Sequence, residues 1–217
     1  ILVKGMIYEE PFGSRKYDKE GQDIAAPKRQ MKPRDQKNKF LVATTSLAGC
    51  FGCHISLLDI DEGILDILEV VELNKSPLND IKNFTKRCDV GLIEGGCANS
   101  ENVEVLKEFR KKCDILIAFG ECAIMGGIPA MRNFVSLKEC LEEAYVHGLT
   151  SEIGANTIPN HEDIPKLLNN VYPCNEVVKI DYHIPGCPPN ANHIWKVVKN
   201  ILLDEEYSIT HEEFKYD

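Results

Sequence analysis

The sequence has no apolar run long enough to cross a membrane. Within its 217 residues charges, glycines or prolines interrupt every apolar run, whereas a spanning helix needs roughly 20 consecutive apolar residues. The first residues also lack an apolar segment followed by a cleavage site of small residues, so they do not resemble a secretory signal. These two absences exclude a transmembrane role and the interpretation of the first residues as a signal peptide.

An excess of positive charge is also missing. The chain holds 34 Asp and Glu against 25 Lys and Arg, for a net charge of −9. Residues 1–39 contain ten basic and six acidic side chains (+4), and residues 40–217 contain 15 and 28 (−13). Nucleic acid is therefore not an expected partner, because phosphate contacts need a basic face. We predict a basic N-terminal arm over 1–39, disordered or laid along an acidic partner, and one domain over 40–217.

The chain does not need disulfide bonds for its stability. Nine cysteines is an odd number, and a chain of this length can bury a substantial core without disulfides. This usage favours a reducing compartment in which the cysteines are free thiols or metal ligands. We accordingly place the protein in the cytoplasm.

What the sequence does have is an alternation of strand-like and helix-like segments. Buried parallel strands appear as short apolar runs, and amphipathic helices show a period near 3.6 residues. The pattern predicts an α/β fold with a flavodoxin-like open, mostly parallel sheet and helices on both faces. The predicted strands are 40–45, 70–73, 89–96 and 114–122, with an extended run over 177–190, and the predicted helices are 54–69, 80–88, 101–113, 135–148, 162–171 and 191–207.

Cysteines follow four of the strand-like runs directly. The runs end in "LAGCFGC", "IEGGC", "FGEC" and "IPGC". Because ligands bind beyond the carboxyl ends of the strands in an open parallel sheet, these thiols should converge on one edge of the domain. The cysteines concerned are Cys50, Cys53, Cys97, Cys122 and Cys187.

The remaining cysteines carry less information. Cys88, Cys113 and Cys140 fall in or at the ends of predicted helices, where a free cysteine acts as a small apolar side chain. Cys174 lies in a predicted loop with no evident partner.

The residues alone leave the chemistry of the converging thiols open. One C-x-x-C pair with further cysteines on distant loops favours an iron-sulfur cluster on a preformed scaffold. A thioredoxin-like redox pair, a zinc site or plain core cysteines remain alternatives. So do a flavodoxin-like flavin reductase, with "TTSLAG" at a phosphate, and a zinc-stabilised interaction module.

Four motifs in order resemble those of the small subunit of NiFe hydrogenases, over roughly Phe40 to Leu203. They are "GCFGCHISLLD", "EGG", "GECAIMGGIPAMRN" and "PGCPPN". The resemblance implies one proximal 4Fe-4S cluster, with Cys97 outside the ligand set and a proton or interface role for Glu94. The ligands it implies are Cys50, Cys53, Cys122 and Cys187.

Two details of the sequence indicate which subgroup of this family the chain resembles. The respiratory complex I homologue has adjacent cysteines in the first motif, whereas this chain has C-x-x-C, and the twin-arginine signal and cluster-binding extension of periplasmic members are not found. The chain therefore most resembles small subunits of cytoplasmic bidirectional hydrogenases, NAD(P)-linked or electron-bifurcating. Such a subunit relays electrons between a NiFe-bearing large subunit and flavin/iron-sulfur NAD(P)-reducing subunits, with no catalytic metal of its own. A relay in a quinone- or ferredoxin-linked complex of the same superfamily is the alternative.

Overall fold

Seven strands occur in the part of the chain that the computed structural model describes, residues 39–150 and 157–203. Five of them form one sheet in the order β2-β1-β3-β5-β7, and every neighbouring pair is parallel. Counted along the chain within this sheet, the order is 2-1-3-4-5, that of a flavodoxin-like fold. The predicted fold class is thus confirmed. The strands are β1 (Phe40–Ser46), β2 (Val71–Leu73), β3 (Cys88–Glu94), β4 (Cys97–Asn99), β5 (Cys113–Phe119), β6 (Leu167–Tyr172) and β7 (Tyr182–Ile184).

Strand β3 is the centre of the sheet and is buried along its whole length. A strand covered on both faces cannot alternate apolar and polar residues, which is why this segment is almost continuously apolar. Its one acidic side chain before the carboxyl end, Asp89, accepts a hydrogen bond of 2.8 Å from the backbone N–H of Leu41 in β1. The central position of β3 puts its last residue, Glu94, between the loops that follow β1 and β5.

Helices cover both faces of the sheet. On one face, α3 buries Val103, Leu106 and Phe109 against the strands. It begins where the sequence predicts, because the Asn99 side chain accepts a hydrogen bond of 2.8 Å from the backbone N–H of Asn102. On the other face, α2 and α7 pack their apolar sides onto the sheet. The α-helices are α1 (Gly52–Leu58), α2 (Gly63–Val70), α3 (Ser100–Lys112), α4 (Glu121–Met125), α5 (Leu137–Tyr145), α6 (Cys174–Val177) and α7 (Ala191–Leu203).

The helix predicted over 54–69 is two helices, α1 and α2. The break contains Asp61, whose φ of 56° is left-handed and cannot continue a right-handed helix. Apolar spacing persists across the break because both helices pack on the same side of the sheet. Periodicity alone therefore did not reveal the interruption.

The helix predicted over 80–88 is wrong, since these residues form an irregular loop before β3 begins at Cys88. Side chains take over the backbone hydrogen bonding here. The Asn74 carboxamide accepts from the backbone N–H of Thr85 (3.1 Å) and donates to the Thr85 hydroxyl (2.8 Å). Such side-chain bonds compete with helix formation.

The helix predicted over 162–171 is also wrong, because the second half of this segment belongs to β6 and the first half is irregular. Strand β6 pairs antiparallel with β4 in a separate two-stranded sheet. Its buried residues, Leu168 and Val171, are three apart, which is a helical spacing. The pairing contains a register shift between Cys97 and Asn99, and such an irregularity removes the period-2 pattern of a strand.

The helix predicted over 135–148 is shorter in the structure, where α5 ends at Tyr145 rather than at Gly148. Its start has a capping box, in which Ser136 and Glu139 bond each other's backbone N–H groups. No helix of the described residues has the length and apolar character needed to cross a membrane. The arm predicted over 1–39 lies, apart from Lys39, outside these residues.

Candidate metal centre

Three connections that carry cysteines meet at the carboxyl edge of the parallel sheet. Cys50 and Cys53 follow β1, Cys122 follows β5 in the first turn of α4, and Cys187 follows β7. Strands β1, β3, β5 and β7 are consecutive neighbours, so their carboxyl ends present these loops side by side. We refer to these four residues as the thiol quartet.

The members of the quartet interact with one another. Burial raises the pKa of the Cys53 thiol far above its ordinary value of 9.0, and Glu94 and the three other members of the quartet raise that pKa further. The pKa of Cys122 is raised in the same way, first by burial and then by Cys187, with a smaller contribution from Cys50. Cys53 and Cys122 therefore lie close enough to the other thiols of the quartet for a negative charge on those thiols to act on them.

Glycines make room for two of these sulfurs. A Cβ atom on Gly120 would lie 2.3 Å from the Cys53 sulfur, and one on Gly127 would lie 2.9 Å from the Cys122 sulfur. Both glycines also have φ in the left-handed region, at 88° and 52°, where other residues are strained. The loops after β5 therefore require glycine both for their course and for the space that the thiols occupy.

Backbone hydrogen bonds fasten the loops of the quartet to each other. The Gly120 N–H donates to the Ile184 carbonyl (2.8 Å) and the Glu121 N–H to the Gly186 carbonyl (3.0 Å). In return, the Gly186 N–H donates to a carboxylate oxygen of Glu121 (3.0 Å). These three bonds hold the Cys122 and Cys187 loops as one unit.

Glu94 lies beneath the quartet, at the end of β3, and is only 2% exposed. Its carboxylate accepts hydrogen bonds from the backbone N–H of His54 (2.8 Å) and from the Ser46 hydroxyl (3.2 Å). The His54 ring lies 2.5 Å from the same carboxylate through Nδ1 and is completely buried. The proton or interface role that the resemblance implies for Glu94 stays a prediction.

The structure separates Cys97 from the quartet. Cys97 is fully buried in β4, and its thiol hydrogen-bonds that of Cys174, which, together with burial, raises the pKa of Cys174. The Cys174 thiol also donates to the Gly95 carbonyl (3.3 Å). Cys174, to which the sequence analysis assigned no role, is thus the partner of Cys97.

Cys88 and Cys113 form a second buried pair, in strands rather than in the predicted helices. They lie opposite each other where β3 and β5 begin, at the end of the sheet remote from the quartet. The side-chain hydrogen bond between them, together with burial, raises the pKa of Cys113. Their predicted role as small buried side chains agrees with this placement.

The quartet offers a donor set that suits an iron-sulfur cluster. Four cysteines are the usual ligands of such a cluster, and the loops after β1, β5 and β7 bring four of them to one edge of the sheet. The fully buried Nε2 of His54 and Oε2 of Glu121 have no hydrogen-bond partner in the described residues. Buried polar atoms are normally hydrogen-bonded, so these two atoms could bond a group bound at this site.

Comparison with known proteins identifies the family. Residues 50–201 match the model of the NADH ubiquinone oxidoreductase 20 kDa subunit family. The chain is also 46% identical over 184 residues to the NAD-reducing hydrogenase HoxS subunit delta of Cupriavidus necator, covering 84% of this chain and 88% of that one. The protein belongs to the NiFe hydrogenase small subunits.

A solved structure agrees with this assignment of the small subunit. A chain of an NAD⁺-reducing [NiFe]-hydrogenase in the H2-reduced state superposes with a TM-score of 0.79 at 43% identity, covering 83% of this chain and all of that one. The small subunit is also 40% identical over 173 residues, 79% of its length, to a subunit of the F420-non-reducing hydrogenase of Methanothermobacter marburgensis. It spans about half of that relative's length, 56%.

Sequence reasoning missed how the small subunit supports its thiols. His54 is polar and follows a cysteine of the first motif, yet nothing in the sequence linked it to Glu94, 40 positions further on. Gly120 precedes "EC" and was recognisable as a turn residue, but its contact with Cys53 joins two loops. Both relationships cross between strands, so local patterns could not contain them.

Proposed function

We propose that this small subunit relays electrons through one 4Fe-4S cluster bound by the thiol quartet. The observation that carries the proposal is the mutual interaction of these four thiols, from which Cys97 is absent. Such a cluster, when bound, takes up an electron from one neighbouring centre and passes it to another. A reducing compartment, the cytoplasm, suits nine free cysteines.

The chain's own residues would set the orientation of the relay. Cys50 and Cys187 are exposed, whereas Cys53 and Cys122 are half-buried. The quartet therefore opens outward on one side, where a partner subunit can approach, and is backed by the sheet on the other. The backbone N–H of Gly52 donates to the Cys50 sulfur at 3.4 Å, and hydrogen bonds to the sulfurs are one determinant of a cluster's potential.

We further propose that electrons enter from a large subunit bearing the NiFe site and leave to flavin- and NAD(P)-binding subunits. The similarity to the delta subunit of an NAD-reducing hydrogenase, over most of both chains, supports this acceptor. The second candidate is a relay in a ferredoxin- or quinone-linked complex. The 40% identity to a subunit of an F420-non-reducing hydrogenase is the observation that supports an acceptor other than NAD(P).

Metal analysis of the native complex tests these proposals. A tag on this chain would be used to isolate the complex from its host without oxygen, and iron, nickel, zinc and acid-labile sulfide would be measured. Hydrogen-dependent reduction of NAD⁺, NADP⁺ and a ferredoxin would then be compared on the same sample. We expect iron and sulfide on this chain, nickel in a co-purifying subunit, and reduction of NAD⁺ or NADP⁺.

Each other outcome has a distinct meaning. Iron without nickel would exclude the hydrogenase relay and favour a respiratory type of complex. Stoichiometric zinc without sulfide would contradict the relay altogether and support the zinc-stabilised module. Nickel with activity toward ferredoxin alone would retain the relay and replace its acceptor.

A further inference from the structure

The Glu94 carboxylate occupies an unusual place for a charged group. It is almost fully buried, and burial of an ionised carboxylate is unfavourable unless hydrogen bonds compensate it. Here it accepts from the Ser46 hydroxyl at one oxygen and from the His54 backbone N–H at the other, which His54 Nδ1 also approaches at 2.5 Å. The side chain is thus held as a hydrogen-bond acceptor at the point where β3 meets the loop after β1.

This arrangement fixes the residue next to Cys53. Two contacts of Glu94 go to His54, one through its backbone and one through its ring. The ring is stacked on Phe51 (centroids 4.7 Å apart, 5° between planes) and meets Phe119 edge-on at 5.3 Å. A side chain held on three sides has little rotational freedom, so the start of α1 and the Cys53 thiol that it carries are fixed relative to β3.

The same carboxylate acts on the quartet electrostatically. Its carboxylate accepts a hydrogen bond of 2.8 Å from the N–H of the peptide bond that joins Cys53 to His54, so its charge is held beside a member of the quartet. A negative charge close to a ligand repels an electron added to the cluster that this ligand holds, so it makes reduction of the cluster less favourable. Net charge near the cluster is one of the factors that set its reduction potential.

We propose that Glu94 is a positioning residue that clamps Cys53 through His54 and also lowers the reduction potential of the cluster by its buried negative charge. The inference rests on the proposed binding of a cluster by the quartet. It assigns Glu94 a role beneath the cluster rather than at a subunit interface.

The charge is tested by Glu94→Gln in the full-length chain, reconstituted anaerobically with iron and sulfide. Glutamine keeps the shape and an acceptor oxygen for His54 while removing the charge. We expect iron and sulfide content equal to the unsubstituted chain and a higher midpoint potential in a titration followed by electron paramagnetic resonance. The matched control is Glu69→Gln, an exposed carboxylate on α2, which should leave the potential unchanged.

The clamp is tested separately at His54. His54→Phe keeps the aromatic stacking and removes the ring donor, whereas His54→Asn retains a donor near the position of Nδ1. We expect His54→Phe to lose its cluster to an iron chelator at least several-fold faster than the unsubstituted chain does. The rate for His54→Asn should lie between these two rates. This pair also measures the clamp if Glu94→Gln does not fold.

The results separate this inference from the function on which it rests. If the unsubstituted chain binds no iron and sulfide, the proposed function fails and the inference fails with it. If the cluster forms but Glu94→Gln leaves the potential where Glu69→Gln leaves it, the charge effect is overturned and the relay stands. Equal rates of cluster loss in both His54 variants and the unsubstituted chain would overturn the clamp.

Discussion

The cysteines at the carboxyl edge of the sheet differ from those inside the fold in exposure, pairing and surroundings. The thiol quartet is exposed or half-buried and lies on loops among glycines. The inner thiols are no more than 1% exposed and hydrogen-bond in two pairs. They are Cys88, Cys97, Cys113 and Cys174.

This difference shows that the position of a cysteine in the fold, rather than its residue type, decides whether it is a candidate metal ligand or a small buried side chain. An inner thiol has apolar neighbours and forms weak hydrogen bonds to another inner thiol or to a backbone carbonyl, so a further group has no room to approach. A thiol of the quartet has other thiols across a shared space that glycine leaves open. Cys97 is the informative case, because it follows a strand end as the ligands do and is nevertheless turned into the core.

Cys122→Ser and Cys97→Ser should break this comparison most visibly. We expect Cys122→Ser to lose most of its iron and sulfide, since one of four ligands is replaced, while Cys97→Ser keeps both. Cys97→Ser should instead lower the free energy of unfolding by about 1–3 kcal/mol, because a hydroxyl replaces a buried thiol. Metal analysis and urea unfolding measure the two effects, and loss of iron in Cys97→Ser with retention in Cys122→Ser would reverse the ligand assignment.

Gly120→Ala should give the next largest effect. The added methyl group would lie 2.3 Å from the Cys53 sulfur at a φ of 88°, which costs about 1–3 kcal/mol in backbone strain alone. We expect lower stability together with a reduced iron content. Gly63→Ala is the control, because its methyl group would also be crowded, at 2.6 Å, but by the Ile60 side chain rather than by a cysteine. Equal iron content in the two variants would show that the Gly120 contact does not position Cys53.

Alkaline pH should produce the smallest effect and sharpen the electrostatic side of the comparison. The pKa of Cys53 is raised above 9.0 in the folded chain, so folded Cys53 holds its proton more tightly than the unfolded thiol does. This contribution to stability is complete below pH 9 and is lost as the pH rises above it. We expect the free energy of unfolding of the metal-free chain to fall above pH 9, and to fall less steeply in Cys53→Ser.

Urea unfolding between pH 8 and pH 11 measures this slope. The inner thiols Cys113 and Cys174 also have raised pKa values, so both chains should retain a common alkaline slope. Identical slopes in the two chains would show that the pKa of Cys53 is not raised in the folded chain. Cluster binding requires thiolates, so loading with iron and sulfide should become easier as the pH rises.

The sequence predicted most of the sheet because its central strands carry continuous apolar runs. Strands β3 and β5 begin within one residue of where those runs put them. The failures occurred where local signals compete with tertiary ones. The loop before Cys88 is shaped by the side-chain hydrogen bonds of Asn74 rather than by a helix. Strand β6 was mistaken for a helix because its buried residues, Leu168 and Val171, have the three-residue spacing of a helix.

By itself the sequence determined the alternation of strands and helices, the placing of thiols directly after strands and the glycines beside them, because these follow from local composition and spacing. Only the tertiary structure decided which thiols face one another, since the strand order joins segments more than a hundred residues apart. It also decided that Cys97 turns toward Cys174 and that Glu94 holds His54. The Glu94 contact depends on the parallel neighbours β1 and β3, and the Cys97 contact on the antiparallel pair β4 and β6. Pairing between distant strands is not encoded in any one stretch of chain.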